Sequence, residues 1–226
     1  MNKTKIIAAV LCAGFWTGAA AAADLPMKAP PAAAPSWTGF YLGAQGGAAW
    51  GRFAQTNQVS GVSLGYFDQS GALAGGTAGY NWQQGNFVAG LESDLAWSNL
   101  IGQQVCGPAR DHACTTEMRA FGTLRGRLGV LVMPSTLIYA AGGLAYADIR
   151  ATRDSGATVG EDWRAGWTVG GGVETMVAPQ LSLKLEYLYS TFPGTATTYT
   201  IIATSVPVTA VERDVHMARA GLNWHF

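Results

Sequence analysis

Apolar and polar side chains alternate one by one along much of this chain from residue 37 onward, which is the period of a β-strand with two unlike faces. The alternation recurs in eight stretches, and the connections between them are by turns short and long. This order is typical of an antiparallel meander, in which each strand pairs with the next. The predicted strands are residues 37–53, 71–83, 86–99, 117–132, 136–150, 162–177, 181–192 and 213–226.

One face of each stretch is apolar, and the other is rich in glycine and in polar or charged residues. In the seventh stretch Leu183, Leu185 and Tyr187 alternate with Lys184 and Glu186. A water-soluble eight-stranded barrel would hold its aliphatic side chains inside and its charges outside. We predict the reverse arrangement, with the apolar faces outward. In the fifth stretch the outward set is then Leu137, Tyr139, Ala141, Ala145 and Ile149, opposite Gly142, Tyr146 and Asp148.

The connections differ between the two ends of the meander. Three are turns of a few residues, and four are longer loops at residues 54–70, 100–116, 151–161 and 193–212. Short turns on one side, long loops on the other and an apolar face of about ten residues per strand are typical of outer-membrane barrels. Closure leaves no backbone group unpaired in hydrocarbon. We therefore predict an all-β fold, an eight-stranded antiparallel up-and-down transmembrane β-barrel over residues 37–226.

Aromatic residues provide a second test, because a bilayer collects Trp and Tyr at its two interfaces. Following the strands up and down assigns the aromatic residues to two levels. The periplasmic level receives Phe40, Trp82, Phe87, Tyr139, Trp224 and Phe226. The external level receives Trp50, Trp97, Trp163, Tyr187 and Tyr189.

The N-terminal segment reads as a targeting sequence followed by a linker. Lys3 and Lys5 precede an apolar run at 6–16 and a small-residue stretch at 19–23, the pattern of a secretory signal peptide over residues 1–22. Residues 23–36 are rich in proline and alanine, and we predict an extended periplasmic tether there. The chain is thus expected to leave the cytoplasm.

Composition agrees with a membrane protein and gives no sign of nucleic-acid binding. Hydrophobic residues make up 49% and charged residues 12% of the chain. The 14 basic residues balance the 14 acidic ones, and removing Lys3 and Lys5 with the signal peptide leaves 12 against 14, a net charge of −2. The expected partner is outer-membrane lipid, and no nucleic-acid partner is expected.

Two cysteines remain if Cys12 is removed with the signal peptide. Cys106 and Cys114 lie in the same long loop, and an oxidising compartment would join them in a disulfide. The bridge would staple a loop, and a metal pair or redox couple is the alternative.

Several motifs carry a resemblance to a known family. They are the segment from Trp37 to Gly43, which reads WTGFYLG, the LxLEYxY motif at 183–189, and the GLNWxF ending at 221–226. With these the chain resembles small Gram-negative outer-membrane β-barrel proteins labelled porin-family or outer-membrane immunogenic proteins. The resemblance implies that the barrel-assembly machinery reads Trp224 and Phe226, and that the protein is a surface component. Some relatives bind haem, but no His or Tyr pair stands out here as an axial ligand.

Charged residues on the inward faces are the main candidate site. Because eight strands leave room for little more than their own side chains, we predict that these residues pair into a solid polar plug. A narrow porin-like channel is the alternative. The predicted network is Glu92, Asp94, Arg119, Arg125, Arg127, Asp148, Arg164, Glu174, Lys184, Glu186 and Arg219.

Neither catalysis nor a resident cofactor or metal is expected. Barrels that modify lipids need a nucleophile beside a histidine. His216 is followed two residues later by Ala218 rather than serine, while His112 and His225 lie elsewhere along the predicted strands and loops. A soluble periplasmic binding barrel remains a rival class. Host recognition through the loops is a hypothesis, and the sequence identifies no loop partner.

Overall fold

The computed structural model describes residues 35–57, 63–106, 112–153, 158–192, 197–201 and 206–226. The predicted signal peptide and most of the predicted tether lie outside these ranges. Within them no helix is long and apolar enough to cross a membrane. The strands are β1 Gly39–Asn57, β2 Ser63–Gln84, β3 Phe87–Cys106, β4 His112–Met133, β5 Thr136–Arg153, β6 Thr158–Ala178, β7 Leu181–Thr191, β8 Thr197–Ile201 and β9 Val206–His225.

The sheet closes on itself. Strands β1 to β7 pair antiparallel in chain order, β7 pairs with β9, and β9 pairs back with β1. The short β8 pairs with the first part of β9 alone and so extends the wall as a hairpin. The predicted eight-stranded antiparallel barrel is therefore confirmed, with β8 as an addition that the sequence pattern did not indicate.

Three two-residue turns lie at one end of the barrel. They are Gly85-Asn86, Pro134-Ser135 and Pro179-Gln180, and Gly85 has a φ of 61°, which glycine adopts without strain. The start of β1 and the end of β9 meet at the same end, where the Phe226 amide donates to the Phe40 carbonyl at 3.0 Å. We call this the turn end and the opposite one the loop end.

The strands are longer than predicted. β2 begins at Ser63 and β3 continues to Cys106, so much of the predicted loops at 54–70 and 100–116 is β-sheet. These extensions lack a regular apolar face, which is why the alternation did not reveal them. The backbone hydrogen bonds of these extensions continue the barrel wall past the band of outward-facing apolar side chains.

The outer wall is apolar. Leu128 and Trp97 are 70% and 74% exposed, and large apolar side chains on β1 to β7 and β9 share this orientation. A soluble monomer rarely exposes so large an apolar surface. The opposite faces of the strands point into the barrel, where most side chains are buried.

The face assigned to β5 from the sequence is wrong. Leu137, Tyr139 and Ala145 are buried in the interior, while Ile138 and Leu144 are 49% and 62% exposed. Ala141 and Ile149 are buried as well. Both faces of β5 are apolar, so the alternation does not define its orientation, and a shift of one residue reverses every side chain.

Candidate functional site

A cluster of eight charged side chains occupies the middle of the barrel. Each is 0 to 4% exposed, and the four carboxylates equal the four cationic groups in number. They project from the inward positions of β3, β4, β6, β7 and β9. This charged layer consists of Glu92, Asp94, Arg125, Arg127, Glu174, Lys184, Glu186 and Arg219.

Strand register brings acids and bases together in the charged layer. Three acid–base pairs lie directly opposite each other on neighbouring strands, where side chains on one face are adjacent. The pairs are Glu92 with Arg125, Glu174 with Lys184, and Glu186 with Arg219. Sequence alternation placed these residues on inward faces, but the register that joins them comes from the structure.

Two arginines connect carboxylates across the barrel. Arg125 donates to Glu186 at 2.9 Å and to Asp94 at 3.1 Å, and it also contacts Glu92. Arg219 donates to Asp94 at 3.1 Å and contacts Glu186. Since β3 and β7 lie on different sides of the barrel, these contacts span its cross-section.

Lys184 and Arg127 complete the layer toward the turn end. The Lys184 ammonium donates to both carboxylate oxygens of Glu92, at 3.0 and 3.1 Å. Arg127 donates to Glu174 at 2.6 Å, and its guanidinium lies 4.1 Å from the centre of the Tyr139 ring and 5.7 Å from that of Tyr41. The Arg127 guanidinium also lies 3.5 Å from Glu92, so it has two carboxylates and two aromatic rings as partners.

Hydroxyl groups supply further hydrogen bonds to the carboxylates. Tyr41 donates to Glu92 at 2.7 Å, Tyr139 to Glu186 at 3.0 Å, and Thr123 to Asp94 at 2.5 Å. Burying an ion costs several kcal/mol unless opposite charges and hydrogen bonds surround it. The arrangement provides both, so removal of one member would leave a buried charge with fewer partners.

Trp37 and His225 pack together inside the turn end of the barrel. Trp37, just before β1, is fully buried, and its indole N–H donates to the Pro134 carbonyl at 3.2 Å. Its ring meets His225 edge-on at 5.7 Å, and its amide donates to Gln83 at 2.9 Å. Trp37, at the start of the first predicted strand, thus turns its side chain into the barrel mouth, which the sequence did not indicate.

Ser182, His225 and Glu174 meet beneath Trp37, but they lack the order of a catalytic triad. Ser182 donates to Glu174 at 2.6 Å and lies 3.0 Å from His225. The serine hydroxyl is therefore engaged by the carboxylate itself, and all three side chains are buried. A nucleophile needs a base and space for a substrate, whereas the Ser182 hydroxyl is buried and already donates to Glu174.

An apolar layer lies in the loop-end half of the interior. Its side chains are 0 to 7% exposed, and they come from seven strands and from Phe192 just after β7. The alternation of the strands predicts a polar interior and does not indicate this layer. It consists of Ala49, Leu73, Ala96, Leu100, Met118, Phe121, Ala145, Ala147, Ile149, Leu188, Phe192, Val215 and Met217.

Two members of the predicted charge network are placed differently. Arg119 is exposed, because the ladder between β4 and β5 shifts between Met118 and Ala120 and reverses the side-chain phase beyond that point. Asp148 is half-buried on the outward side of β5, a consequence of the reversed face of that strand. Arg164 is 3% exposed and lies on the inward face of β6, toward the loop end.

The remaining predicted residues are at the ends of the barrel. Trp224 and Phe226 are on the outer wall at the turn end, 48% and 70% exposed. The side chains of Cys106 and Cys114 lie outside the part that the structure describes, so their disulfide stays a prediction. In the described ranges no group of three or more His, Cys, Asp or Glu side chains is placed to hold a metal ion.

Comparison with known proteins identifies the family. Residues 13–226 match the family described as outer membrane protein beta-barrel domain. The chain is 33% identical over 246 residues to the 31 kDa outer-membrane immunogenic protein of Brucella melitensis, covering 99% of this chain and 100% of that protein. It is 34% identical over 165 residues to the 22 kDa outer membrane protein of Rhizobium leguminosarum bv. viciae, covering 73% and 69%.

A solved structure shares the fold. The outer membrane protein OprG from Pseudomonas aeruginosa superimposes with a TM-score of 0.59 at 14% identity, over 85% of this chain and 99% of that one. The chain belongs to the outer-membrane β-barrel family, and its location is the cell outer membrane. The resemblance and the location predicted from the sequence are both confirmed.

Proposed function

We propose that this protein is a structural component of the outer membrane, with a closed interior and with loops presented to the outside. The observation that carries the proposal is the charged layer, in which Arg125 and Arg219 join carboxylates from β3 and β7 across the barrel. A solute would have to displace these ion pairs, each of which is buried. An eight-stranded barrel has little width to spare for that.

Two further layers support closure. Trp37 lies across the turn end, and the apolar layer around Leu100, Phe121 and Met217 fills the interior toward the loop end. Water and ions entering from either side would meet this packing before they reach the charged layer. Cores packed in this way have few voids larger than a water molecule.

The orientation follows from the usual design of such barrels, in which short turns face the periplasm and longer connections face the exterior. The turn end then lies in the periplasm, with Trp224 and Phe226 at its interface as the segment that the barrel-assembly machinery reads. Outer-membrane lipid surrounds the exposed apolar wall. The loop end would be available to antibodies, in agreement with the name of the immunogenic relative.

Conductance across a planar lipid bilayer tests the closed interior. We expect no steady channel from the folded protein at moderate voltage, because water and ions would have to displace the buried ion pairs of the charged layer. Stable unitary currents, or uptake of small sugars into reconstituted vesicles, would favour the narrow-channel alternative instead.

Haem or host-ligand binding through the loops is the second candidate function, and it rests on the resemblance alone. Titration of haem into folded protein should leave the Soret band unshifted if the interior is closed and no axial ligand is present.

We also propose that the protein is not an enzyme. Intact lipid acyl chains after overexpression are expected, and loss of a chain would contradict this.

A further inference from the structure

A row of aromatic side chains crosses three strands on the outer wall near the loop end. Trp50 of β1, His216 of β9 and Tyr189 of β7 are direct neighbours in the strand register. The Trp50 and His216 rings are 6.0 Å apart with planes at 11°, and His216 lies 5.3 Å from Tyr189. The Tyr187 hydroxyl and the His216 Nδ1 are 2.6 Å apart, which fixes the imidazole in this aromatic row.

A charged row lies next to the aromatic row, one step closer to the loop end. Asp68 of β2, Arg52 of β1 and Asp214 of β9 are paired across their strands. Arg52 Nε is 3.5 Å from Asp68, and these two side chains are 73% and 88% exposed. Tyr189 donates to Asp214 and so connects the two rows. The aromatic row and the charged row together border a cleft of about 500 Å³.

An apolar trough adjoins the aromatic row on the side of the membrane. Its floor is made of small residues, among them Gly46, Gly171 and Ala218, and Leu185 and Tyr187 form part of its border. Its volume is about 790 Å³. Ala218 of the trough follows His216 of the cleft by two positions on the same face of β9, so the trough and the cleft are neighbours along the barrel wall.

We propose that the cleft and the trough together bind one outer-leaflet lipid that carries a sugar headgroup. A trough with a glycine and alanine floor accepts an acyl chain. Aromatic rings such as Trp50 and His216 offer flat apolar faces to the C–H side of a sugar ring, while carboxylates accept hydrogen bonds from its hydroxyls and Arg52 donates. The inference rests on the proposed orientation, which places the loop end in the outer leaflet.

The charge of the cleft favours a sugar over a phosphate as the group that is recognised. The charged row has two carboxylates and one guanidinium, so a bare phosphate meets net repulsion there. Sugar hydroxyls are neutral and both donate and accept. The mixed lining of rings and polar groups is what small-molecule sites use to fix orientation.

Binding of an acylated glucosamine disaccharide tests the proposal. The full chain is folded in a zwitterionic detergent without sugar, and retained lipid is measured by native mass spectrometry. The probes are lipid A, lipid A with its phosphates removed, phosphatidylethanolamine, and the free disaccharide. We expect both forms of lipid A to bind at least about tenfold more tightly than the other two probes, a difference that mass spectrometry resolves.

Variants assign the binding to this surface. Trp50→Ala and Asp214→Asn should each weaken lipid A binding about tenfold, as loss of a central contact does. Trp97→Ala removes an exposed tryptophan from the outer wall of β3 and should leave it unchanged. Heat-modifiable gel mobility confirms that each variant is folded.

Four results would overturn the proposal. The first three are equal binding of phosphatidylethanolamine, equal loss in Trp97→Ala, and a requirement for the phosphates. Free disaccharide binding as tightly as lipid A would also overturn it, because the acyl trough would then be irrelevant. None of these outcomes bears on the closed interior, which the conductance measurement tests separately.

Discussion

The guanidinium of Arg127 lies over the ring of Tyr139, with 4.1 Å between the guanidinium carbon and the ring centre. β4 and β5 are adjacent, and Arg127 is paired with Ala141, so the inward position of the arginine fixes the inward face of β5. The Tyr139 hydroxyl then reaches Glu186 at 3.0 Å. The true orientation of β5, which apolar alternation predicts wrongly, thus gives Tyr139 one cation–π contact and one hydrogen bond.

Tyr139→Phe should keep the ring over Arg127 but remove the hydrogen bond to Glu186. We expect the free energy of unfolding to fall by about 1 to 3 kcal/mol, because a buried charged acceptor loses a donor. Urea unfolding in detergent, followed by tryptophan fluorescence, measures the change. Tyr187→Phe is the control on the outer wall, and an equal loss in both variants would contradict the buried role of Tyr139.

Arg125→Met should be strongly destabilising, because Glu92, Asp94 and Glu186 then share fewer cations. Breaking a buried ion pair by removing one partner costs about 3 to 5 kcal/mol. Adding Glu186→Gln to this variant should restore part of the loss, since Glu186 has lost one of its two arginine partners and the layer again has equal numbers of acids and bases. The double-mutant cycle is measured by urea unfolding. No recovery in the double variant would mean that the charges are not coupled.

Arg52→Met provides the exposed counterpart to Arg125→Met. Its ion pair with Asp68 is open to solvent, with side chains 73% and 88% exposed. Exposed pairs contribute little to stability, so the unfolding midpoint should barely move. A loss as large as that of Arg125→Met would show that burial is not what makes the charged layer sensitive.

Two glycines on β2 should respond differently to alanine. A Cβ at Gly79 would lie 2.3 Å from the Tyr41 hydroxyl inside the barrel, whereas at Gly76 on the outer wall the nearest atom is 3.6 Å away. Gly79→Ala should therefore destabilise the barrel by about 1 to 3 kcal/mol through overpacking. Gly76→Ala should be tolerated. Comparable unfolding midpoints for the two variants would refute the close contact between Tyr41 and Gly79.

Trp37→Ala should loosen the turn end. Removing a fully buried tryptophan costs about 3 to 5 kcal/mol, and the loss should appear in urea unfolding of the folded chain. Trp37→Phe keeps a smaller aromatic ring but cannot donate to the Pro134 carbonyl, so we expect an intermediate loss of stability. If Trp37→Ala unfolds like the wild type, residues 35–38 do not form the closure described here.

Much of the fold could be predicted from alternation, because most strands have one clearly apolar face. Glu92, Asp94, Arg125, Arg127, Glu174, Lys184, Glu186 and Arg219 were all assigned to the interior, and the structure buries them there. Arg119 was not predictable in the same way, since a shift in strand register between Met118 and Ala120 leaves no mark on the alternation. The position of Asp148 was not predictable either, because it depends on which face of β5 points into the barrel.

The partners within the interior needed the structure. Pairs such as Glu186 with Arg219 depend on strand register, which the sequence pattern constrains only by parity. The apolar layer was missed because residues such as Leu100 and Phe121 lie where the regular alternation breaks down. Trp37 was assigned to the first strand by its position, and nothing in the sequence shows that its side chain turns into the barrel.

Accessibility of a thiol in the charged layer tests the closed interior most directly. Thr123 is fully buried beside Asp94, and Gln103 is exposed on β3 toward the loop end. With the native cysteines replaced by serine, Thr123→Cys and Gln103→Cys are treated with a small, charged, water-soluble thiol reagent. We predict rapid labelling at 103 and labelling at 123 only after unfolding. Labelling of folded Thr123→Cys as fast as Gln103→Cys would contradict a closed barrel.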